Sequence, residues 1–433
     1  MRTSLRGIAS KACRESGHRF QNLSRLLSEG FLRECWSLVN KRASAGVDGV
    51  SARAYGTELE GNLARLVGRL RRGSYRAKLV RRKEIPKSGG RTRPLGIPAV
   101  EDKLVQTAAS RILQAIWEQD FLPCSYGYRP GRSAREAVRD LTRELQFGRY
   151  GYVVEVDIRG FFEHIDHEWM VRMLEERIDD RRFVRLIRKW LRAGVLAEDG
   201  RVIHPLTGCP QGGVISPVLA NIYLHYVLDL WFERRVKRRC KMRAAMVRYA
   251  DDVVFAFQRG EDARAFFSAV RVRLAKFHLT ASKEKSRVVR FSRFQLGKQS
   301  ESFEFLGFEF RWMLDRKGVP RVRRRTARER LRASLKRVSE WCREMRSQLV
   351  REIFAALNRK LLGYYGYYGV IGNWESLRRF YNGTLRILRK WLGRRSERGR
   401  MSWRRLQALV QYHGLEGPRI TELRHRQLEL ATC

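Results

Sequence analysis

An α+β fold is predicted by three features of the chain. Short runs rich in β-branched and aromatic residues, such as 150–158 and 246–257, read as strands bounded by turn residues. Stretches of helical period lie among them, including 103–119 and 213–232. From Arg321 onward arginine becomes dense, and Leu331, Leu335, Val338, Trp341, Cys342 and Met345 recur at helical spacing beneath a cationic face, so a helical, basic domain starts near there.

Charge sets the partner. Ninety Lys and Arg against forty-five Asp and Glu give a formal net charge of +45 over 433 residues. Such a surface repels itself unless a polyanion neutralises it, and counterion release makes nucleic acid a tight, salt-sensitive ligand. Hydrophobic residues at 43% and aromatics at 11% belong to a chain with a proper core, which argues against both bulk disorder and a simple membrane-surface protein. The length suggests two to three domains. Seven cysteines without a C-x-x-C pair argue against a zinc module and a disulfide framework, so an intracellular setting is expected. The N-terminus shows no apolar core of a secretory signal. The 213–232 stretch carries Asp229 as its only formal charge, and its Pro217, Asn221 and His225 fit a buried helix better than a membrane span.

In chain order, the first ninety residues read as helices, with Leu23, Leu26, Leu27, Phe31, Cys35 and Leu38 on an apolar face and cations opposite. Gly89-Gly90 between apolar pieces marks a cation-studded hairpin over 85–98. The strand at 150–158 ends on a carboxylate, Asp157. Ser216-Pro217 begins the apolar helix, with Ser as its cap and Pro in its first turn. Further on, 358–369 interleaves aromatics with glycine beside cations; these tyrosines suit base stacking and helix-core packing equally.

The chemistry centres on Tyr249-Ala250-Asp251-Asp252, two adjacent carboxylates inside an apolar, strand-like run. Taken alone this is a hairpin turn, since Asp favours turns. Half-buried negative charge also needs a cation, and phosphoryl transfer needs divalent ions roughly 4 Å apart held by carboxylates. Asp157 is the best further carboxylate; Asp166, Glu163 and Glu155 are its rivals. Mg²⁺ prefers a few carboxylates with substrate oxygens and water, which leaves no need for His or Cys. Gly208-Cys209-Pro210-Gln211-Gly212-Gly213 permits close approach of backbone to a ligand, and Lys87 and Arg93 suit a triphosphate.

The order of these blocks resembles the group II intron-encoded reverse transcriptases. Arg93-Pro94-Leu95-Gly96-Ile97-Pro98, Ser125-Tyr126-Gly127-Tyr128-Arg129-Pro130-Gly131, Asp157-Ile158-Arg159-Gly160-Phe161-Phe162, Pro210-Gln211-Gly212-Gly213, Tyr249-Ala250-Asp251-Asp252 and Phe305-Leu306-Gly307-Phe308 carry the likeness, and 349–411 is similar to the family's maturase region. The resemblance implies a right-hand polymerase: fingers and palm over 1–310, with an N-terminal helical extension at 1–80, then a helical thumb and maturase region over 311–433. It implies Asp157, Asp251, Asp252 and Lys285 as catalytic residues. Two Mg²⁺ ions would be held at Asp157, Ile158, Asp251 and Asp252, Asp251 bridging directly and Asp252 contributing field and orientation. Lys87, Arg93, Phe161, Phe162, Gln211 and Ala250 would bind the nucleotide, with Phe162 excluding a 2′-hydroxyl and Lys285 protonating pyrophosphate. Phe305, Leu306 and Gly307 match the primer grip; Arg359, Lys360, Tyr364 and Tyr365 are the candidates for RNA contact.

The implied activity is RNA-directed DNA synthesis, with binding of intron RNA to assist splicing and target-primed reverse transcription to support mobility. Intron RNA, DNA primer, target DNA and dNTPs are the implied partners, in a bacterial cytoplasm associated with nucleic acid and without a membrane; the oligomeric state stays open. Two departures stand out. Cys209 occupies a position where Thr is expected, and no Cys-pair and His-Asn-His cassette follows, so nicking of the second strand is not expected. Two alternatives remain: an RNA-binding maturase whose polymerase site has decayed, and a reverse transcriptase of this lineage serving a CRISPR, defence or repair system.

Overall fold

A computed structural model describes residues 4–86, 92–210, 212–296, 301–395 and 401–422. The backbone divides into two compact units, Met1–Ala137 with Val154–Val288, and Val138–Val153 with Val289–Cys433.

In the first unit, β1 (Val80–Pro86) and β2 (Thr92–Ile97) form the expected antiparallel hairpin, with Ile85 opposite Arg93. β4 (Val195–Leu196) adds to β1 in parallel and β5 (Val202–Ile203) closes the order β2-β1-β4-β5. The helix after the hairpin runs Val100–Trp117 rather than 103–119. Glu101 and Asp102 supply the acidic first turn that favours a helix N-terminus. Asp102 is also buried, accepting from the Tyr75 hydroxyl and, at 3.1 Å, from the Lys78 N–H. Leu104, Ala108, Ile112 and Leu113 are fully enclosed, which makes this helix a spine of the core.

The second sheet has the order β6-β7-β3-β8, built from β3 (Tyr152–Asp157), β6 (Ala244–Tyr249), β7 (Asp252–Phe257) and β8 (Arg287–Arg290). Every residue of β7 after Asp252 is buried, and Phe255 meets Phe266 of the helix Gly260–Lys276 with ring centroids 4.4 Å apart. The apolar 213–232 stretch is a buried helix, Ser216–Leu224, continued by π-helical turns at His225–Asp229 and Phe232–Val236. Ser216 is its first helical residue and not its cap. The hydroxyl donates instead to the Pro210 carbonyl at 2.8 Å, tying the helix start to the preceding loop.

The second unit holds β9 (Phe303–Phe305), β10 (Phe308–Leu314) and β11 (Pro320–Thr326) in an antiparallel sheet, followed by the helices Arg328–Met345, Val350–Tyr368, Trp374–Leu392 and Trp403–Tyr412. Val338, Phe354, Leu357, Leu361, Phe380 and Leu388 form the core between these helices. No helix among the described residues is long and apolar enough to cross a membrane.

Candidate active site

The Asp251-Asp252 pair does sit at a hairpin turn. Tyr249 pairs with Asp252 across β6 and β7, leaving Ala250 and Asp251 as a two-residue loop. Ala250 has φ of 56°, a left-handed conformation that costs an L-residue roughly 1–2 kcal/mol and persists only where its surroundings fix it. They do so from two sides. Gly127 lies so close that a Cβ there would stand 2.3 Å from the Ala250 nitrogen, and Arg248 Nη1 donates to the Ala250 carbonyl at 3.0 Å.

Arg248 is the hub of a fully buried polar network that the sequence motifs do not reveal. Its Nε and Nη2 form a two-pronged pair with Asp229 at 2.7 and 2.5 Å. Nη1 also reaches Asn221 Oδ1 at 3.0 Å and Nη2 reaches Ser125 Oγ at 2.8 Å; Asn221 in turn donates to the Gly127 carbonyl at 2.6 Å. The arrangement locks the 125–127 loop, the apolar helix and the turn together. A signal exists in the sequence: Asp229 is the single charge of an apolar helix and Arg248 a charge inside an apolar strand, and two such residues need each other.

Asp157 ends β3, the neighbour of β7 in the sheet. The 281–286 segment wraps it: Ser282 N donates to its carbonyl at 2.7 Å, its own N–H donates to Ser286 Oγ at 3.2 Å, and Lys285 Nζ stands 3.7 Å from its carboxylate. Ile158 is buried and bridged to Ala281. The rivals are engaged elsewhere or turned outward. Glu155 pairs with Arg287 at 2.6 Å. Asp166 caps the helix His167–Glu175 by accepting from Trp169 N and pairs with His278 at 2.9 Å; burial pushes its pKa up, but those partners hold it below the ordinary value. Glu163 is exposed.

Three carboxylates and the Ile158 carbonyl are all hard oxygen donors, the kind Mg²⁺ takes, and the half-exposed Asp157 and exposed Asp252 leave room for substrate oxygens and water. Among the described residues no group of three or more His, Cys, Asp or Glu side chains is gathered closely enough to hold a metal ion.

Phe161 and Phe162 are buried and meet edge to face at 5.3 Å. Phe162 also walls a cavity of about 240 Å³ together with Arg82, Gly96, Glu163, Cys209 and Pro210. The loop is held to the phenylalanine backbone by Cys209 N donating to the Phe162 carbonyl at 2.7 Å. Burial pushes the Cys209 thiol up to about 11, and its Sγ lies 3.1 Å from Ser216 Oγ, so it packs as a small side chain and not as a nucleophile. Lys87 and Gln211 lie outside the described residues, as does the side chain of Arg93 on β2.

In the second unit, Phe305-Leu306-Gly307-Phe308 is a two-residue turn between β9 and β10, with φ of 50° at Leu306 and 77° at Gly307. Tyr367 Oη donates to the Leu306 carbonyl at 2.9 Å and its ring stacks on Phe308. Of the four residues suggested for RNA contact, Arg359 and Lys360 are exposed, Lys360 standing 5.0 Å over the Trp341 ring. Tyr364 and Tyr365 are buried in the helical core, Tyr364 stacked 3.6 Å from Phe380, so neither ring presents a face to a base.

The family model described as reverse transcriptase (RNA-dependent DNA polymerase) matches residues 85–310, which hold the hairpin, the Asp157 strand, the glycine loop and the Asp-Asp turn. The chain belongs to this family. It is similar to protein YkfC of Escherichia coli, 35% identical over 283 residues that span 58% of this chain and 74% of that protein. It is also similar to the group II intron-encoded protein LtrA of Lactococcus lactis, 41% identical over 40% of this chain and 29% of that protein, and to the putative COX1/OXI3 intron 1 protein of Saccharomyces cerevisiae, 35% identical over 40% and 20% respectively. Within the family it is of the group II intron reverse transcriptase and maturase kind.

Proposed function

We propose that this chain is an RNA-directed DNA polymerase that also binds an intron RNA to assist its splicing and supports mobility by target-primed reverse transcription. The observation that carries this reading is the locked Ala250-Asp251 turn between β6 and β7, with β7 the sheet neighbour of the strand that Asp157 ends. Fingers and palm would occupy 1–310 and the thumb and maturase region 311–433.

Asp157, Asp251, Asp252 and the Ile158 carbonyl would hold two Mg²⁺ ions. Bound there, the ions supply activation of the primer hydroxyl and charge neutralisation at the departing pyrophosphate. Everything else falls to this chain's own groups. Phe162 walls the sugar pocket and selects against a 2′-hydroxyl, with Phe161 packed behind it. Lys87 and Arg93 grip the triphosphate, Gln211 and Ala250 line the incoming nucleotide, and Lys285, already beside Asp157, donates a proton to pyrophosphate. Phe305, Leu306 and Gly307 seat the primer end, and Arg359 and Lys360 are the exposed cations available to intron RNA.

Extension of a DNA primer on an RNA template by the wild type and by Asp251→Asn tests the assignment. The variant should lose about a thousandfold in rate, the roughly 4 kcal/mol expected when a metal ligand is removed from charge stabilisation, and keep its RNA affinity. No extension by the wild type would leave an RNA-binding maturase as the function.

A further inference from the structure

A second site lies away from the carboxylates, where the C-terminal end of the helix Leu59–Arg72 meets the helix Arg181–Leu191. A cavity of about 210 Å³ there is rimmed by Arg71, Arg72, Arg182, Arg185 and Lys189, and no carboxylate lines it. Leu27, Leu70 and Leu186 give it an apolar floor. We propose that this cavity captures an unpaired nucleotide of a folded RNA, its phosphate on the cationic rim and its base on the leucine floor.

The bland alternative is a set of solvated surface charges. It accounts for Arg71 and Arg72, which sit in the last turn of a helix where cations complement the dipole. It fails for the other helix. Arg181 and Arg182 open the helix Arg181–Leu191 with no acidic residue in its first turn, at the end where positive charge is unfavourable. Arg182, Arg185 and Lys189 then follow at spacings that share one face. Asp180, which caps this helix, does not offset them by side-chain pairing: its oxygens accept from the backbone N–H groups of Ser24, Arg182 and Phe183. Nor do the side chains of Arg71, Arg72, Arg182 and Arg185 make an ion pair among the described residues, whereas Arg69, one turn back, is bound to Glu101. Five cations gathered round a concavity that no carboxylate lines call for an anion.

Two details favour a nucleotide over a bare ion. Lys189 is fixed by donating to the carbonyls of Gly73 and Tyr75, and Tyr75 is itself anchored by accepting from Trp190 Nε1 at 3.0 Å, so the wall is preorganised. The leucine floor has no use in holding phosphate alone, but it suits the face of a base. Such bases are splayed out of loops and bulges in folded RNA. Ser24 is also among the lining residues, a small polar side chain compatible with a ribose.

Nothing in this inference depends on polymerase activity, so the two are tested apart. The double variants Arg182→Gln/Arg185→Gln and Arg71→Gln/Arg72→Gln are compared with wild type for binding to an RNA hairpin bearing a single-stranded loop, after their melting curves show that they fold. Affinity should fall on the order of tenfold, and the slope of log K against log salt should become shallower by about 0.7 for each phosphate that is no longer neutralised. Thiouridine placed in the loop should cross-link to 71–72 or 182–189, and primer extension on an RNA template should be unchanged. Should one pair misfold, the other decides. Unchanged affinity and slope would overturn the proposal. So would equal losses on a blunt RNA duplex, which mean generic backbone attraction. Displacement of the hairpin by inorganic phosphate or by polyglutamate at matched charge would overturn it too, in favour of a small-anion site or an acidic protein.

Discussion

Arg248 shows how much of the Ala250-Asp251 turn rests on residues enclosed in the core. It is fully buried, and its partner Asp229 is equally enclosed. Removing one member of such a pair strands the other charge in a low-dielectric interior. Arg248→Met should therefore destabilise the chain by about 3–5 kcal/mol in denaturant unfolding. Arg248→Lys keeps the charge but loses the planar fork that reaches Asp229, Asn221, Ser125 and the Ala250 carbonyl at once. It should lower primer extension more than it lowers stability, read as a fall in kcat with template affinity retained. Both residues are conspicuous in the sequence as lone charges in apolar runs. That they pair across nineteen positions, and that the pair supports the turn, comes only from the packing of helix on sheet.

His225 gives the same network a pH dependence. Burial pushes it down to about 4, against the pull of Asp229 3.9 Å away. Between about pH 4 and roughly 6.5 the unfolded chain holds more protons on this ring than the folded one, so stability rises with pH across that window and is lost as pH falls. Asp102 and Asp120, each pushed up to about 6 by burial, act in the opposite sense. The difference between wild type and His225→Asn isolates the histidine. The variant's unfolding free energy should lack an acid-side loss on the order of 3 kcal/mol.

At the level of elements, the turns are more legible than what holds them. The hairpins at 85–98 and 246–257 announce themselves by glycine or Asp-Asp between apolar runs, because turn chemistry is local. The tyrosines at 364–368 do not declare their role, since aromatics at adjacent and four-residue spacing populate more than one face of a helix. The packing separates them: Tyr364 and Tyr365 fill the core, while Tyr367 grips the Leu306 carbonyl and supports the turn between β9 and β10. Tyr367→Phe removes that hydrogen bond and keeps the ring on Phe308. It should cost about 1 kcal/mol and raise the apparent KM for template-primer, with kcat little changed, in steady-state extension assays.

For the whole molecule, charge and motif order carry most of the functional signal. Composition points to a polyanion, and six ordered blocks point to the family that residues 85–310 match. The basic cavity between the helices Leu59–Arg72 and Arg181–Leu191 is invisible in the sequence, because its five cations come from segments more than a hundred residues apart. If the net charge of +45 serves nucleic acid, template-primer affinity should drop at least tenfold when salt is raised from 50 to 200 mM, a range over which six to ten phosphate contacts cost about 10³–10⁵. A flat response would mean that the basic face is merely solvated.

Asp157, at the end of β3, and the Asp251-Asp252 turn before β7 are proposed to hold metal at one site. Mn²⁺ binding followed by electron paramagnetic resonance, with template-primer and a non-reactive dNTP analogue present, addresses it without recourse to turnover. Two ions per chain are predicted for the wild type, with both Asp157→Asn and Asp251→Asn losing that binding while still retaining template-primer. Mn²⁺ binding that is unaltered by either substitution would rule out a shared site.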